Sequence, residues 1–298
     1  MAKLTLPKEE YLYRGHSACP GCGAPLALRY TMKALGDRVI MNVPAGCTPV
    51  IGGLWPRSAF KFNVLDHAFE SSGAIASGIR AALDAKGIED VTVLAWAGDG
   101  GTVDIGLQAL SGAVDRGTDF IYVMMDNEAY MNTGIQCSGA TPIGAWTTTT
   151  PLGKKFEINS QMKKNIMEMM VANGIVYGAT LNVAYPEDFV KRMKKAVEFK
   201  GPKFIHVLSP CAPGWRVDTS RTVEVARLAT QTNMFPLYEV ENGEYRITKM
   251  IKDRKPVLEY LKAQGRFRRI SDEMAERIQT MVDRDYEELL RKVEQSKR

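Results

Sequence analysis

The sequence predicts an α/β fold in which a mostly parallel sheet has helices on both faces. The first observation is a series of short, nearly continuous apolar runs, typical of strands buried on both sides, at residues 39–43, 91–97, 120–125, 175–181 and 204–208. The second is a set of helical stretches between them, at residues 66–86, 103–116, 160–173 and 186–200. The third is a glycine where each of these helices should end, at positions 87, 117, 174 and 201. This βαβ succession predicts parallel strands.

Length and composition allow one large domain or two small ones and exclude several classes of protein. The chain has 298 residues, of which 45% are hydrophobic, enough for a sizeable core. Its net charge of +5 is too mild and too evenly spread to indicate a nucleic-acid partner, although a basic patch would suit an acidic redox partner. No apolar run approaches the ~18 residues of a membrane span, and the first residues lack the pattern of a secretion signal. We therefore expect a cytoplasmic protein without a membrane partner.

The C-terminal part of the chain differs in composition from the rest. From about Thr222 it is charged and helical in pattern, with basic runs at 252–255 and 266–269 and a final helix near 272–297. We expect a main domain over residues 1–221 and a helical extension over residues 222–298. The extension should pack on the main domain or on a partner.

Glycines and acidic residues follow two of the apolar runs. Residues 91–97 lead into the sequence GDGG, and residues 120–125 lead into Asp126 and Asn127. Strands of an open α/β sheet bind ligands at their carboxyl ends, where glycines let the backbone approach phosphate and a following helix offers free N–H groups. Asp99 and Asn127 supply the oxygen ligands that Mg²⁺ prefers. GDGG alone would more often be a simple turn, but the pair of signals favours a magnesium-diphosphate site.

The cysteines suggest a second metal site. Cys19 and Cys22 form a C-x₂-C pair, while Cys47 and Cys211 stand alone in loop-like segments. An odd total of five cysteines without a secretion signal argues against a disulfide framework and for metal ligation. Thiolate ligands suit both zinc and iron–sulfur clusters, so the residues by themselves leave the two open. Cys137 is left over, and we expect it to be a small buried cysteine.

Three segments carry a family resemblance: GDGGTVDIGLQALSGA from Gly98, DNEAYMNTGIQ from Asp126 and TTTTPLGK from Thr147. They resemble the β subunit of pyruvate:ferredoxin oxidoreductase and its 2-oxoacid relatives, over a stretch from about His16 to beyond Trp215. The resemblance implies a thiamine diphosphate-binding fold and three cofactors, namely thiamine diphosphate, Mg²⁺ and one [4Fe–4S] cluster. It also implies oxidative decarboxylation of a small 2-oxoacid, with pyruvate as the first choice.

The resemblance assigns roles to individual residues. Mg²⁺ would be held by Asp99, Asn127 and the backbone carbonyl of Ala129, and Asn132 would be the catalytic residue beside the thiazolium and the substrate. The [4Fe–4S] ligands would be Cys19, Cys22, Cys47 and Cys211. The expected contacts of thiamine diphosphate are Gly46, Cys47, Gly98, Asp99, Gly100, Gly101, Asn127 and Asn132.

The resemblance also implies partners. Relatives take the glutamate that activates thiamine diphosphate from an α subunit, so this chain should be inactive alone. The chain has too few cysteines for a second cluster, so further clusters would lie on a ferredoxin-like subunit or domain that passes electrons to external ferredoxin.

Two departures from the family pattern leave the substrate open. Cys137 stands where relatives commonly have an arginine, and Arg57 lies in a stretch that is usually aromatic-rich. Cys137 falls in a long loop at 128–155 that we expect to face the reacting carbon. A changed distribution of positive charge is compatible with another acid, including oxalate. An alternative of another class is a zinc-stapled, non-catalytic assembly subunit in which GDGG and the Asp-Asn pair are turns.

Overall fold

The computed structural model describes residues 5–53, 56–150 and 161–297, which contain an eight-stranded sheet. Its strands are β1 Val39–Pro44, β2 Asn63–His67, β3 Thr92–Gly98, β4 Phe120–Asp126, β5 Tyr177–Asn182, β6 Pro202–Leu208, β7 Leu237–Glu241 and β8 Glu244–Lys249. Their order across the sheet is β2-β1-β3-β4-β6-β5-β7-β8. The first six strands in this order pair in parallel, and β7 and β8 complete one edge in antiparallel pairing.

The α-helices are α1 Gly23–Leu35, α2 Cys47–Gly52, α3 Ser72–Ala85, α4 Asp99–Val103, α5 Leu107–Asp115, α6 Ile166–Asn173, α7 Pro186–Val197, α8 Ala212–Trp215, α9 Thr222–Gln231, α10 Val257–Lys262 and α11 Asp272–Gln295. Short 3₁₀ turns occupy Thr219–Arg221 and Gly265–Phe267. Within the described ranges, no helix is both long and apolar enough to cross a membrane.

Helices cover both faces of the sheet, as predicted. Along β3, Leu94 and Trp96 join a core with α1 and α7, whereas Val93 and Ala95 join a second core with α3, α5 and α6. Successive side chains of a strand point to opposite faces, so burial of both faces makes the whole strand apolar. This is why the central strands were predictable. The predicted glycine stops are also confirmed, because positions 87, 117, 174 and 201 all have positive φ angles, between 65° and 113°.

Strand β2 was missed and was predicted partly as helix. It is the edge strand, and its side chains are mostly exposed or half-buried, with Leu65 45% exposed. An edge strand of this kind has no continuous apolar run, so the sequence pattern carries little signal. Helix α3 accordingly begins at Ser72 rather than at residue 66.

The C-terminal extension is not wholly helical, which corrects the prediction for residues 222–298. It contains the β7–β8 hairpin, and β7 adds to the main sheet beside β5. The turn between the two strands is Asn242-Gly243, both with positive φ, a typical hairpin signal that the charged composition concealed. The extension packs on the main domain through a shared core that includes Leu208 and Trp215 on one side and Val225 and Tyr260 on the other.

Candidate functional site

A cleft opens at the carboxyl edge of the sheet, where β1, β3 and β4 end side by side. Gly98, the last residue of β3, pairs with Met125, the residue before the end of β4, so the GDGG segment and the loop after Asp126 are neighbours. The cleft encloses about 690 Å³ of empty space, counting its open mouth. Its lining includes Gly46, Cys47, Gly98, Asp99, Gly100, Gly101, Asn127, Ala129 and Asn132. The predicted cofactor contacts therefore meet in one place, which we call the diphosphate cleft.

Three oxygen atoms converge at the floor of this cleft. One atom of the Asn127 side-chain amide, assigned as oxygen, lies 2.8 Å from the carbonyl oxygen of Ala129 and 3.0 Å from Oδ1 of Asp99. Turning the amide over would put its nitrogen there and form two hydrogen bonds. Octahedral ligands about 2.0–2.1 Å from Mg²⁺ stand about 2.8–3.0 Å apart, which equals the observed separations. The residues present therefore fit a magnesium ion.

Asp99 is held in place before any ligand binds. Its side chain is buried, and the Ser138 hydroxyl donates a hydrogen bond to Oδ2. Burial and, to a lesser extent, the neighbouring Asp126 raise the pKa of Asp99 well above its ordinary value. A divalent cation would supply the counter-charge that this carboxylate lacks.

Aromatic neighbours leave little room for a side chain at two glycines of GDGG. A Cβ atom on Gly100 would lie 2.2 Å from the ring of Tyr130, and one on Gly101 would lie 3.2 Å from the ring of Phe69. Tyr130 is fixed in turn by a hydrogen bond from its hydroxyl to Asp104, 2.8 Å away. Because these two residues have no side chain, the rings of Tyr130 and Phe69 pack directly against the backbone that would approach a diphosphate.

Buried ion pairs lie behind the turn formed by residues 127–129, which carries the Asn127 amide and the Ala129 carbonyl and which we call the metal-site turn. Sequence reasoning missed these ion pairs. Lys163 contacts Asp126 at 2.6 Å and Glu128 at 2.8 Å, and His206 contacts Asp126 at 2.7 Å. Burial opposes ionisation of Asp126, but the charge of Lys163 and the hydrogen bond with His206 lower its pKa to about 2. Arg266, from the C-terminal extension, pairs with the other oxygen of Glu128 at 2.5 Å.

A second cleft adjoins the first and brings the four predicted cysteine ligands together. We call it the cysteine cleft; its lining includes Cys19, Cys22, Cys47 and Cys211. In the described part of the chain, no three His, Cys, Asp or Glu side chains are placed to hold a single metal ion. The four thiols border a shared space instead of converging on one point.

The two clefts share a wall. Cys47, Met125, Asn127 and Asn132 line both of them. Asn132 is exposed at this junction, where the predicted catalytic residue would reach both a cofactor and its substrate.

The structure does not bring Cys137 or Arg57 to either cleft, which corrects the expectation that the loop around Cys137 faces the reacting carbon. The cleft lining from this loop runs from Ala129 to Thr133 and stops there. The backbone N–H of Cys137 donates to the hydroxyl of Thr149, and its thiol contacts Gln161 at 3.4 Å. Residues 151–160, which include the end of TTTTPLGK, lie outside the described residues.

Known proteins resemble this chain over much of its length. Residues 45–207 match the family model of the thiamine pyrophosphate enzyme C-terminal TPP-binding domain. The chain is 50% identical over 294 residues to ketoisovalerate oxidoreductase subunit VorB of Pyrococcus furiosus, covering 96% of this chain and 94% of that protein. It is 49% identical over 286 residues to pyruvate synthase subunit PorB of Methanothermobacter thermautotrophicus, covering 96% and 99%.

A solved structure supports the fold. The 2-oxoglutarate:ferredoxin oxidoreductase from Magnetococcus marinus aligns with a TM-score of 0.58 and 21% identity, over 75% of this chain and 82% of that one. At this level of identity the likeness establishes the architecture alone.

Proposed function

Because the chain belongs to the family of thiamine diphosphate-dependent 2-oxoacid:ferredoxin oxidoreductases, as a relative of their β subunits, we propose that its two clefts hold the redox centre of such an enzyme. Thiamine diphosphate would occupy the diphosphate cleft, with Mg²⁺ on Asp99, Asn127 and the Ala129 carbonyl. One [4Fe–4S] cluster would occupy the cysteine cleft. The reaction is the oxidative decarboxylation of a small 2-oxoacid.

The observation that carries this proposal is the shared wall between the clefts. An electron that leaves a cofactor in the first cleft needs an acceptor close by, and Cys47 borders both spaces. The remaining cysteine ligands come from the start of α1 and from the loop after β6. A zinc staple or a set of simple turns would not require this adjacency.

The chain's own residues would bind, orient and shield the cofactor. When bound, thiamine diphosphate supplies the carbanion chemistry and the cluster supplies a one-electron carrier. The backbone at Gly98 and Gly100 leaves room for the diphosphate, while Val43, Phe69 and Trp96 form apolar walls that keep water from the reacting atoms. Asn132 would orient the substrate at the junction of the clefts.

An α subunit would complete the site. The carboxylate among the cleft-lining residues is Asp99, which the metal would engage, and the lining includes no glutamate. The glutamate that activates thiamine diphosphate must then come from the α subunit, so we expect no turnover by this chain alone.

An arginine cluster would suit an acidic electron acceptor. Arg216 ends α8, the short helix that follows Cys211, and its guanidinium lies 3.6 Å from the ring of Trp146. Burial and then the positive charges of Arg268 and Arg269 lower the pKa of Arg216. The acceptor we propose is a cluster-carrying, ferredoxin-like subunit or domain, followed by external ferredoxin.

The substrate we place first is pyruvate. The relatives are named for pyruvate and for ketoisovalerate, so a branched 2-oxoacid is the second candidate. Neither Cys137 nor Arg57 lines the clefts, which removes the structural reason for favouring oxalate.

A substrate panel on the purified complex tests the proposal. Pyruvate, ketoisovalerate, 2-oxoglutarate and oxalate would each be supplied with ferredoxin or a viologen dye as acceptor. We expect reduction with pyruvate or ketoisovalerate at the highest kcat/KM. Exclusive use of oxalate would overturn the substrate assignment, and zinc without iron or acid-labile sulfide in the subunit would overturn the redox role.

A further inference from the structure

Glu128 has an unusual backbone conformation beside the metal-site turn. Its φ angle is +68°, in the left-handed region that favours glycine. The residue stands between Asn127 and Ala129, which supply two of the three converging oxygens. A left-handed residue at this point sets the direction of the Ala129 carbonyl, so its conformation decides whether the three oxygens meet. Strain of this kind persists only where the surroundings hold it.

The side chain of Glu128 is held from two sides. Lys163 contacts one carboxylate oxygen at 2.8 Å, and Arg266 contacts the other at 2.5 Å. Glu128 is only 4% exposed and Arg266 only 3%, so solvent screens this pair little. Arg266 is fixed by the side-chain oxygen of Gln264 at 2.9 Å and by the ring of Trp215 at 4.0 Å.

The backbone around Glu128 is held as well. Asp126 Oδ1 accepts a hydrogen bond from the Glu128 N–H at 3.0 Å, and the Thr141 hydroxyl donates to the Glu128 carbonyl at 2.8 Å. The indole N–H of Trp215 donates to the Asn127 carbonyl at 2.8 Å. Side chains therefore bond to the Asn127 carbonyl, the Glu128 N–H and the Glu128 carbonyl in succession. The backbone of the turn, and with it the Asn127 and Ala129 oxygens, has little freedom to move.

We propose that Glu128 is a positioning residue for the metal ion, clamped by Lys163 and by Arg266 of the C-terminal extension. The extension thereby controls how tightly the chain retains the Mg²⁺-diphosphate unit. The inference rests on the proposed function, since it assumes that Mg²⁺ and thiamine diphosphate bind in the diphosphate cleft. Partners that orient metal ligands typically change metal affinity by about 10–100-fold when they are lost.

A Mg²⁺ titration of the complex tests the clamp. The purified complex would be stripped of thiamine diphosphate and metal with a chelator, and thiamine diphosphate binding would be measured by calorimetry at increasing Mg²⁺. Glu128→Gly keeps the left-handed backbone accessible but removes the clamped carboxylate. We expect it to need about 10–100-fold more Mg²⁺ for half-saturation and to reach full occupancy at high Mg²⁺. Glu128→Gln, which keeps the shape and loses the charge, should lie between it and the wild type.

Two further variants make the outcome decisive. Asn242→Gly is the matched control, because Asn242 also has positive φ (+49°) but lies in the exposed β7–β8 turn. It should leave the Mg²⁺ requirement unchanged. Lys163→Gln removes one charged partner of Glu128 and serves if Glu128→Gly fails to assemble. The Lys163 side chain is 23% exposed, and Asp126, its other partner, keeps its contact with His206.

The failures of the two proposals can be told apart. An unchanged Mg²⁺ requirement in Glu128→Gly would overturn the clamp. If Glu128→Gly does not assemble, an unchanged Mg²⁺ requirement in Lys163→Gln would overturn it. A wild-type complex that binds no thiamine diphosphate at any Mg²⁺ concentration would overturn the proposed function itself.

Discussion

The diphosphate cleft and the cysteine cleft share a wall but differ in how far they are prepared for their ligands. In the first, Asp99 and the turn at Asn127 already have hydrogen-bond partners that fix them. In the second, burial raises the pKa of Cys22 to about 11 and that of Cys47 to about 12, and neighbouring cysteines add to the effect. Those thiols keep their protons until metal displaces them. The proposed magnesium site is thus organised by the protein, whereas the four cysteines would become a ligand set only when iron binds.

The largest effect should follow from removal of the central carboxylate of the organised site. Asp99→Ala takes away the negatively charged metal ligand, so we expect the complex to lose thiamine diphosphate on desalting. Because a buried carboxylate without a counter-charge costs free energy, the apo variant should unfold at a temperature no lower than the apo wild type. Cofactor content and thermal unfolding measure the two effects. Normal cofactor content in Asp99→Ala would refute the metal assignment.

In the cysteine cleft, loss of a ligand should change the metal content of the subunit. Cys47→Ser should lose or degrade the iron–sulfur cluster, as measured by iron, acid-labile sulfide and electron paramagnetic resonance. Cys137→Ser is the matched control, because Cys137 lies outside the cleft lining and should keep the full iron content. Iron loss in the Cys137 variant would contradict the division between ligand and non-ligand cysteines.

Trp215 donates a hydrogen bond to Asn127, which lines both clefts, and we expect its replacement to have an effect of intermediate size. It belongs to α8, next to the cysteine cleft, yet its indole donates to Asn127 in the metal-site turn. Trp215→Phe keeps an aromatic ring but leaves that buried carbonyl without its donor, which costs about 1–3 kcal/mol. We expect roughly tenfold weaker Mg²⁺-dependent binding of thiamine diphosphate, since about 1.4 kcal/mol corresponds to tenfold. Iron content should stay normal, and a loss of iron instead would mean that α8 mainly supports the cluster.

The smallest effect concerns the surface. Replacing Arg268 and Arg269 by glutamate should slow electron transfer to ferredoxin several-fold at low salt while leaving reduction of a viologen dye unchanged. Both side chains are exposed, so the fold should tolerate the change. The difference between the two acceptors should shrink as ionic strength rises. Equal rates with ferredoxin for the variant and the wild type would place the acceptor elsewhere.

Much of the fold and the core of the site could be predicted from the sequence because their signals are local. The central strands are apolar along their whole length, and GDGG and the Asp-Asn pair each follow one of them. The contact between Glu128 and Arg266 could not be predicted, because it joins residues 138 positions apart and neither the DNEAYMNTGIQ segment nor the basic run at 266–269 indicates that the two residues meet. Cys137 was misplaced for a related reason, since its distance along the chain from Asn132 does not reveal where the loop turns away from the cleft.

The order in which the cysteine ligands appear along the chain has a consequence for biosynthesis. Three of them precede residue 48, but Cys211 follows β6, which lies between β4 and β5 in the sheet. A ribosome therefore releases most of the main domain before the fourth thiol exists, and in the folded chain that thiol follows a strand that pairs with both β4 and β5. Iron delivered to the nascent chain would find an incomplete set. If the four cysteines hold a cluster as proposed, the cluster would be completed on the folded subunit, where Cys19 is exposed.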